Sequence, residues 1–387
     1  MTLFQLQYEE IRKLIDFDDL PLLTKRLIDL TLDTKEIRFY KETVKLLEWM
    51  EQNEERTEEK KERIASLLDE LYSYLIGQPS FSDQEAPLLS TKNLIRSYKK
   101  SSFALGPISF DIREGEIVGL VGENGNGKTT LLRSLCGELQ PTGGEISYLF
   151  PYKDDYDLRS KLIYIPQRTP SWHGSLLSNL RFTAASYGII GEENVLTVEL
   201  IIARMGLRKY RSYKWKDLSS GYKMRFELAR ALLRKPKLLL IDEPLANLDI
   251  LAQQIVLDDF RDIARSPFRP LGIVLSSQQL YEVEKASDNV IFLKNGMSLN
   301  PVKDIDVTYA EVSKLIIEFE SKWKQEQLLS VLEALNLEKL QINGGTYVAC
   351  FPDKISQTDF LKLVIEQRIP LNYFRNISNS TRRFFLS

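Results

Sequence analysis

Apolar side chains recur at helical spacing through residues 1–76: Leu20, Leu22, Leu23, Leu27, Ile28 and Leu30 cluster on such a repeat, and Val44, Leu46, Leu47 and Met50 continue it. Pro21 suits the first turn of a helix, where its missing N–H costs nothing. The run EQNEERTEEKKER, 51–63, mixes both charge signs ahead of the apolar SLLDELYSYLI. It reads as a solvated helix face laced with ion pairs; a docking surface for another protein is the sharper alternative. GQPSFSDQEAP, 77–87, reads as a linker from its glycine, prolines and serines. The pattern therefore predicts a helical amino-terminal domain over 1–76 and a linker over 77–87.

From about residue 88 the repeat changes. Short β-rich runs (ISFDI, EIVGLV, KLIYI, KLLLI, GIVLS, NVIFL) alternate with helical stretches. That alternation predicts an α/β domain over 88–300, with a mostly parallel sheet flanked by helices. After Asn300 the segments KLIIEFE, QEQLLSVLEAL, EKLQI, GTYVACF, DFLKLVIEQ and NYFRNI spell βαββαβ. This order predicts a ferredoxin-like α+β accessory domain over 301–387, a fold that by itself implies no function.

Composition narrows the class. With 43% hydrophobic and 27% charged residues over 387 positions, the chain has the make-up of a soluble globular protein of two or three domains. A net charge of −2 supplies no global positive field, so nucleic acid is not an expected partner. Cys136 and Cys350, both in apolar surroundings, suggest buried thiols in a reducing compartment rather than a disulfide framework. No apolar run approaches the ~20 residues that cross a bilayer, and the start MTLFQLQYEEIRK lacks the charge pattern of a signal peptide. The expected location is the cytosol.

Two stretches carry chemistry. GENGNGKT, 122–129, follows the strand EIVGLV and opens the helix TTLLRSLCG, the strand–loop–helix context in which Gly-x4-Gly-Lys-Thr binds phosphate. Gly122, Gly125 and Gly127 let backbone N–H groups turn inward around an anion, and the helix dipole adds attraction. Lys128 would reach the β- and γ-phosphates and Thr129 would set its hydroxyl on Mg²⁺; Asn124, Asn126 and Thr130 complete the expected nucleotide set. In KLLLIDEP, 237–244, four apolar residues precede Asp242 and Glu243. Beside a phosphate loop, one acid would bind metal through water and the other would polarise the attacking water; the plainer alternative is two acids at a helix cap before Pro244.

With LSSGYKMRFELARALL, 218–233, YIPQ, 164–167, and LANLD, 245–249, the sequence resembles the ATP-binding cassette (ABC) family over about residues 90–300. The resemblance implies a P-loop NTPase fold with a helical subdomain, ATP and Mg²⁺ as cofactors, and a head-to-tail dimer that sandwiches two nucleotides. By the same resemblance Tyr98 would stack on adenine, and Gln167 would sense Mg²⁺ and the attacking water. Ser219 and Gly221 would touch the γ-phosphate across the dimer, and Asp249 would couple the two sites. Residues 171–189 resemble the helical insertion of exporter-type members; most of its apolar stripe, Leu176, Leu177, Leu180 and Phe182, reads as core.

Two departures stand out. The signature, usually Leu-Ser-Gly-Gly-Gln, is here Leu218-Ser219-Ser220-Gly221-Tyr222, and Gln278 stands where the family has a switch histidine. The lone histidine, His173, lies far upstream and reads as a polar surface residue. The sequence thus predicts the ATP-hydrolysing subunit of a transporter, peripheral at the inner face of the membrane. It would act as a homodimer or heterodimer on a separate membrane permease, with a lean to export. Glu243, Gln278, Gln167 and Lys128 would be its catalytic residues, and Thr129, Gln167 and Asp242 its metal set. A soluble cassette ATPase acting on ribosomes or DNA, and a regulatory ATP binder with little hydrolysis, are the competing readings.

Overall fold

Four helices open the chain in the computed structural model: α1 (Leu3–Asp16), α2 (Leu20–Thr34), α3 (Ile37–Gln52) and α4 (Thr57–Leu75). The structure describes residues 2–17, 19–79, 87–98, 103–246, 248–278, 280–299, 315–343, 345–352 and 354–378. The Thr2 hydroxyl accepts from the Gln5 N–H while the Gln5 side chain accepts from the Thr2 N–H, a reciprocal cap. Asp19 accepts from the Leu22 N–H ahead of Pro21 in the first turn of α2. Leu23, Leu27, Ile64, Leu68 and Leu71 fill the core between these helices. The mixed-charge run breaks before α4 and then forms its first turns, where Arg63 pairs with Glu59 at 2.8 Å and Lys61 with Glu58 at 3.0 Å. It is the solvated, ion-paired face that the pattern implied.

The amino-terminal helices fall in the same compact unit as the α/β region: Met1–Asn289 and Leu293–Met297 cluster together. A buried charge network explains the join. Arg204, fully buried at the end of α8 (Gly191–Arg204), reaches Asp29 of α2 at 2.9 Å. It also reaches Asp259 at 2.6 Å and Asp262 at 3.6 Å, both on α10 (Ile250–Ala264). Lys25 meets Asp259 at 3.0 Å and Arg26 meets Asp262 at 2.6 Å, so three cations of α2 and α8 face three carboxylates. Burial pushes the Asp262 carboxyl up to about 6 in spite of the Arg26 and Arg204 charges beside it. Asp33 and Arg269 form a further pair across the same seam.

A three-stranded antiparallel sheet, order β2-β1-β4, is built from β1 (Pro87–Ser97), β2 (Ala104–Arg113) and β4 (Gly143–Tyr148). β1 and β4 are absent from the sequence reading. Register shifts near Thr91 and Leu94 break the alternation of β1, and β4 starts on two glycines. The parallel layer runs β5-β6-β7-β3, from β5 (Leu162–Ile165), β6 (Leu238–Ile241), β7 (Gly272–Ser277) and β3 (Ile117–Val121). Its strands are almost wholly buried, as continuous apolar runs between helix layers must be. Ile165 registers with Ile241, Ile241 with Leu275, and Val121 with Ser277, so the strands' carboxyl ends form one edge. Helices α5 (Lys128–Leu135), α6 (Asp155–Lys161), α7 (Leu176–Ser186), α9 (Ser220–Leu233) and α11 (Leu280–Ala286) complete the layers, and strands β8 (Asn289–Lys294) and β9 (Met297–Leu299) follow. Cys136 is buried after α5, which raises its thiol to about 11.

The second unit takes Val290–Phe292 and Ser298–Ser387. It contains β10 (Leu315–Ser321), α12 (Gln325–Leu332), β11 (Lys339–Asn343), β12 (Thr346–Phe351), α13 (Gln357–Glu366) and β13 (Leu371–Asn376). The antiparallel sheet has the order β11-β12-β10-β13, with the expected βαββαβ succession, around Ile317, Phe319, Phe351 and Phe360. Cys350, expected in the core, is only half-buried on β12. Side chains alternate along this strand: Ala349 and Phe351 face the main core, while Val348 and Cys350 share the other face, where Cys350 packs half-buried against Ile316, Val348 and Ile377.

Candidate functional site

Four loops leave the carboxyl edge of the parallel strands β5, β6, β7 and β3. After β3 the chain passes through residues 122–127 into α5, with Gly127 at φ 100° as its cap. A side chain there would also sit 2.7 Å from Leu105, so only glycine serves. A Cβ on Gly122 would lie 2.5 Å from the Leu293 carbonyl oxygen. The buried Lys128 Nζ donates to the Gly122 carbonyl at 2.6 Å and to that of Glu123 at 3.3 Å, and pairs with Glu243 Oε1 at 3.2 Å.

After β6 come the two acids. Asp242 is 4% exposed. Its Oδ2 accepts from the hydroxyls of Thr129 at 2.6 Å and Tyr164 at 3.2 Å, and its Oδ1 accepts from Ser276 at 2.6 Å. The Ser276 oxygen in turn accepts from the Glu243 N–H at 3.0 Å, so one hydroxyl on β7 sets both acids. Burial and the Asp242 carboxylate raise the Tyr164 phenol well above its ordinary value, so it stays a donor. Glu243 adopts φ 51°, left-handed backbone that costs a non-glycine residue about 1 kcal/mol or more.

Of the expected residues, Tyr98, Asn124, Gly125, Gly127, Lys128, Thr129, Thr130, Gln167, Asp242 and Glu243 line one pocket of about 490 Å³. That volume is in the range of small-molecule sites. The half-buried Tyr98 follows β1; its hydroxyl lies 3.4 Å from Thr130 and the Arg96 guanidinium stacks 5.1 Å from its ring. Gly122 and Asn126 are outside the lining. Gly122 contributes only its carbonyl to Lys128, and the Asn126 amide oxygen accepts from the Asn295 N–H at 3.0 Å. Phe103, Glu123, Tyr164 and Ser276 belong to the site's structure and escaped the sequence reading. Tyr164 and Ser276 lie within the runs YIPQ and GIVLS; a hydroxyl near the end of a buried strand was the usable signal.

Ser219, Gly221, Asp249 and Gln278 stand apart from the pocket lining. Ser219 caps α9 and Asp249 caps α10, accepting from the Ala252 N–H at 2.9 Å. Gly221 faces Ala252 and Leu248, 3.6 and 3.8 Å from where a Cβ would be. Gln278 is exposed directly after β7, between the registered ends of β3 and β6. His173 is an exposed surface residue, as expected. On α7, Leu176 and Leu180 are buried and Leu177 is half-buried, while Phe182 is 74% exposed.

A buried lysine at a helix start, with a hydroxyl and two acids across a pocket, defines an ATP-binding site of the P-loop class. The family model for ABC transporters matches residues 105–246, and the chain belongs to the ABC transporter ATP-binding proteins, a family of ATPases. Among its relatives, the uncharacterized ABC transporter ATP-binding protein YxlF of Bacillus subtilis is 34% identical over 211 residues, covering 54% of this chain and 68% of that one. The phosphonates import ATP-binding protein PhnC of Treponema denticola is 32% identical over 225 residues, covering 54% of this chain and 87% of that one. A solved structure of cbiO1 from Clostridium perfringens, described as part of the ABC transporter complex cbiONQ, superposes with TM-score 0.51 at 25% identity. It covers 56% of this chain and 88% of that one. Among the described residues no helix is long and apolar enough to cross a membrane.

Proposed function

We propose that this chain binds and hydrolyses ATP to drive a transporter whose membrane-spanning subunits are separate chains, at whose inner face it sits. The observation that supports this most is the Thr129–Asp242 and Lys128–Glu243 pairing across one pocket at the sheet's carboxyl edge. In this reading Lys128 neutralises charge on the β- and γ-phosphates, and Glu243 takes the proton of the attacking water. Tyr98 stacks on the base, with Asn124, Gly125 and Thr130 lining the phosphate path.

The hydroxyl of Thr129 and the carboxylate of Asp242, hard oxygens 2.6 Å apart, suit Mg²⁺, with Gln167 near by. When bound, Mg²⁺ supplies positive charge to the phosphate oxygens. Ser219 and Gly221, outside the pocket, serve the nucleotide of a second subunit, identical or different, and Asp249 couples the two sites. Gln278 gives a hydrogen bond where a histidine would, and cannot carry a proton.

Two relatives of this chain have names that state import, PhnC of Treponema denticola for phosphonates and PotA of Mycoplasma mycoides for spermidine/putrescine. Export, expected from residues 171–189, is therefore no part of this proposal. A regulatory subunit that binds ATP with little turnover is the second reading, favoured by Gln278. Steady-state phosphate release separates the two: turnover that falls in Glu243→Gln with nucleotide still bound supports the first, and absence of turnover in the parent overturns it. Capture of an integral membrane protein from solubilised membranes tests the partner.

A further inference from the structure

A second cavity, of about 330 Å³, lies at the opposite ends of the parallel strands, where the amino-terminal helices meet the α/β region. Its walls include Leu32 of α2, Ile201 of α8, Leu233 of α9 and Ile263 of α10. Inside this apolar surface stands Thr197, also on α8, 7% exposed, with a hydroxyl that has no hydrogen-bond partner. Several other helical threonines satisfy themselves on the preceding turn. Thr24, Thr31 and Thr183 each donate to the carbonyl four residues back, at 2.7, 2.8 and 2.9 Å. Thr197 departs from that habit, and a buried hydroxyl without a partner is costly.

The charges around the cavity are unevenly committed. Asp29 and Asp262 are held by Arg204 and Arg26, Arg269 by Asp33, and Lys237 by Glu114 at 2.8 Å. Lys35 and Lys235, both exposed at the rim, carry no ion pair or side-chain hydrogen bond among the described residues, against one such carboxylate, Glu193. We propose that this cavity is an effector site for a small organic anion with an apolar body: the anion sits at Lys35 and Lys235, the body fills the interior, and a polar atom satisfies Thr197. The position gives occupancy a route to turnover. α9 runs from the Ser219 cap to Leu233 in the cavity wall, α10 from the Asp249 cap to Asp262 and Ile263, and β7 from beside Leu271 to Gln278. An α-helix of 15 residues such as α10 spans about 22 Å, so a shift at the cavity end displaces the other end as a rod.

The test uses the full chain and two fluorescent probes of one shape, 8-anilinonaphthalene-1-sulfonate and its neutral counterpart N-phenyl-1-naphthylamine, with a non-hydrolysable ATP analogue saturating the nucleotide pocket. The sulfonate is expected to bind with one-to-one stoichiometry. Lys35→Gln with Lys235→Gln should weaken it about tenfold and leave the neutral probe unchanged; Thr197→Val should weaken both about fivefold. Without probe, Thr197→Val should melt no lower than the parent, because the unpaired hydroxyl is gone, which shows that lost binding is not lost folding. Saturating sulfonate should also change ATP turnover at least about fivefold in the parent and not in the lysine variant, the lower end of the usual coupling. Displacement of the probe by nucleotide, indifference of its affinity to these substitutions, or bound probe with unaltered turnover would each overturn the proposal. The binding arm does not depend on the catalytic roles proposed above, so its failure is distinguishable from theirs.

Discussion

The two ends of the parallel sheet bury the same kinds of charge and use them differently. At the amino-terminal ends, Arg204, Lys25 and Arg26 face Asp29, Asp259 and Asp262, and the count of cations equals that of carboxylates. At the carboxyl ends, Asp242 is met by three hydroxyls and no cation, and Glu243 by one lysine that also spends its protons on two carbonyls. The first arrangement balances its charges within the protein and joins the helices to the α/β region. The second leaves hard oxygens and an ammonium around an open pocket of about 490 Å³, the groups that the proposed function assigns to metal and phosphate. Balance of charge inside the chain separates a seam from a site.

That contrast can be broken by substitution, beginning with the largest effect. Lys128→Ala should reduce phosphate release by about 10³-fold or more, since the developing charge loses its cation; ordinary turnover would remove the phosphate loop from the reading. Glu243→Gln should cost about 10²–10⁴-fold while nucleotide still binds, and a second subunit should be trapped with it, measurable by size-exclusion chromatography with light scattering. At the other end, Arg204→Met leaves three carboxylates with two cations and should cost about 3–5 kcal/mol in urea unfolding, with the nucleotide pocket unaltered in the folded fraction.

Smaller effects sharpen the comparison. Gln278→Ala should lower turnover by about 10²-fold if its amide donates to the reacting phosphate, and Gln278→His should preserve or raise it. A rate untouched by alanine would leave the strand end without a catalytic donor. The weakest test is by pH. Asp262 is held near 6 by burial, above its unfolded value, so the fold favours its protonated form. Its contribution is present at low pH and is lost as pH rises from about 4 to about 6, by at most about 1.4 kcal/mol per unit. Asp262→Asn should flatten that part of the stability profile, read by unfolding at a series of pH values; an unchanged slope would place the titration elsewhere.

Much of this was legible in the residues. Buried strands such as KLLLI and EIVGLV announce themselves because both faces meet helices, and the glycines of GENGNGKT because only they fit. The carboxyl-terminal βαββαβ was readable for the same reason of clean periodicity. What escaped depends on long-range placement. β1 loses its alternation at bulges, and β4 has little apolar content. The union of residues 1–76 with the α/β region rests on Arg204, 175 positions from Asp29, and no local pattern marks such a pair. Gly122 and Asn126 read as nucleotide ligands from the motif, yet their side of the loop turns toward Lys128 and Asn295. Gln279, next to Gln278, and Asn247, within LANLD, lie outside the described residues.

The left-handed backbone of Glu243 carries a lesson for protein engineering. Glycine or asparagine would adopt that conformation with less strain, so a library screened for thermal stability alone has a standing incentive to replace this glutamate. Stabilised variants enriched at position 243 should therefore emerge as tight nucleotide binders that turn over poorly. A screen that couples melting temperature to phosphate release would keep the glutamate, and the gap between the two screens would measure what natural selection has held against local conformational preference at one residue.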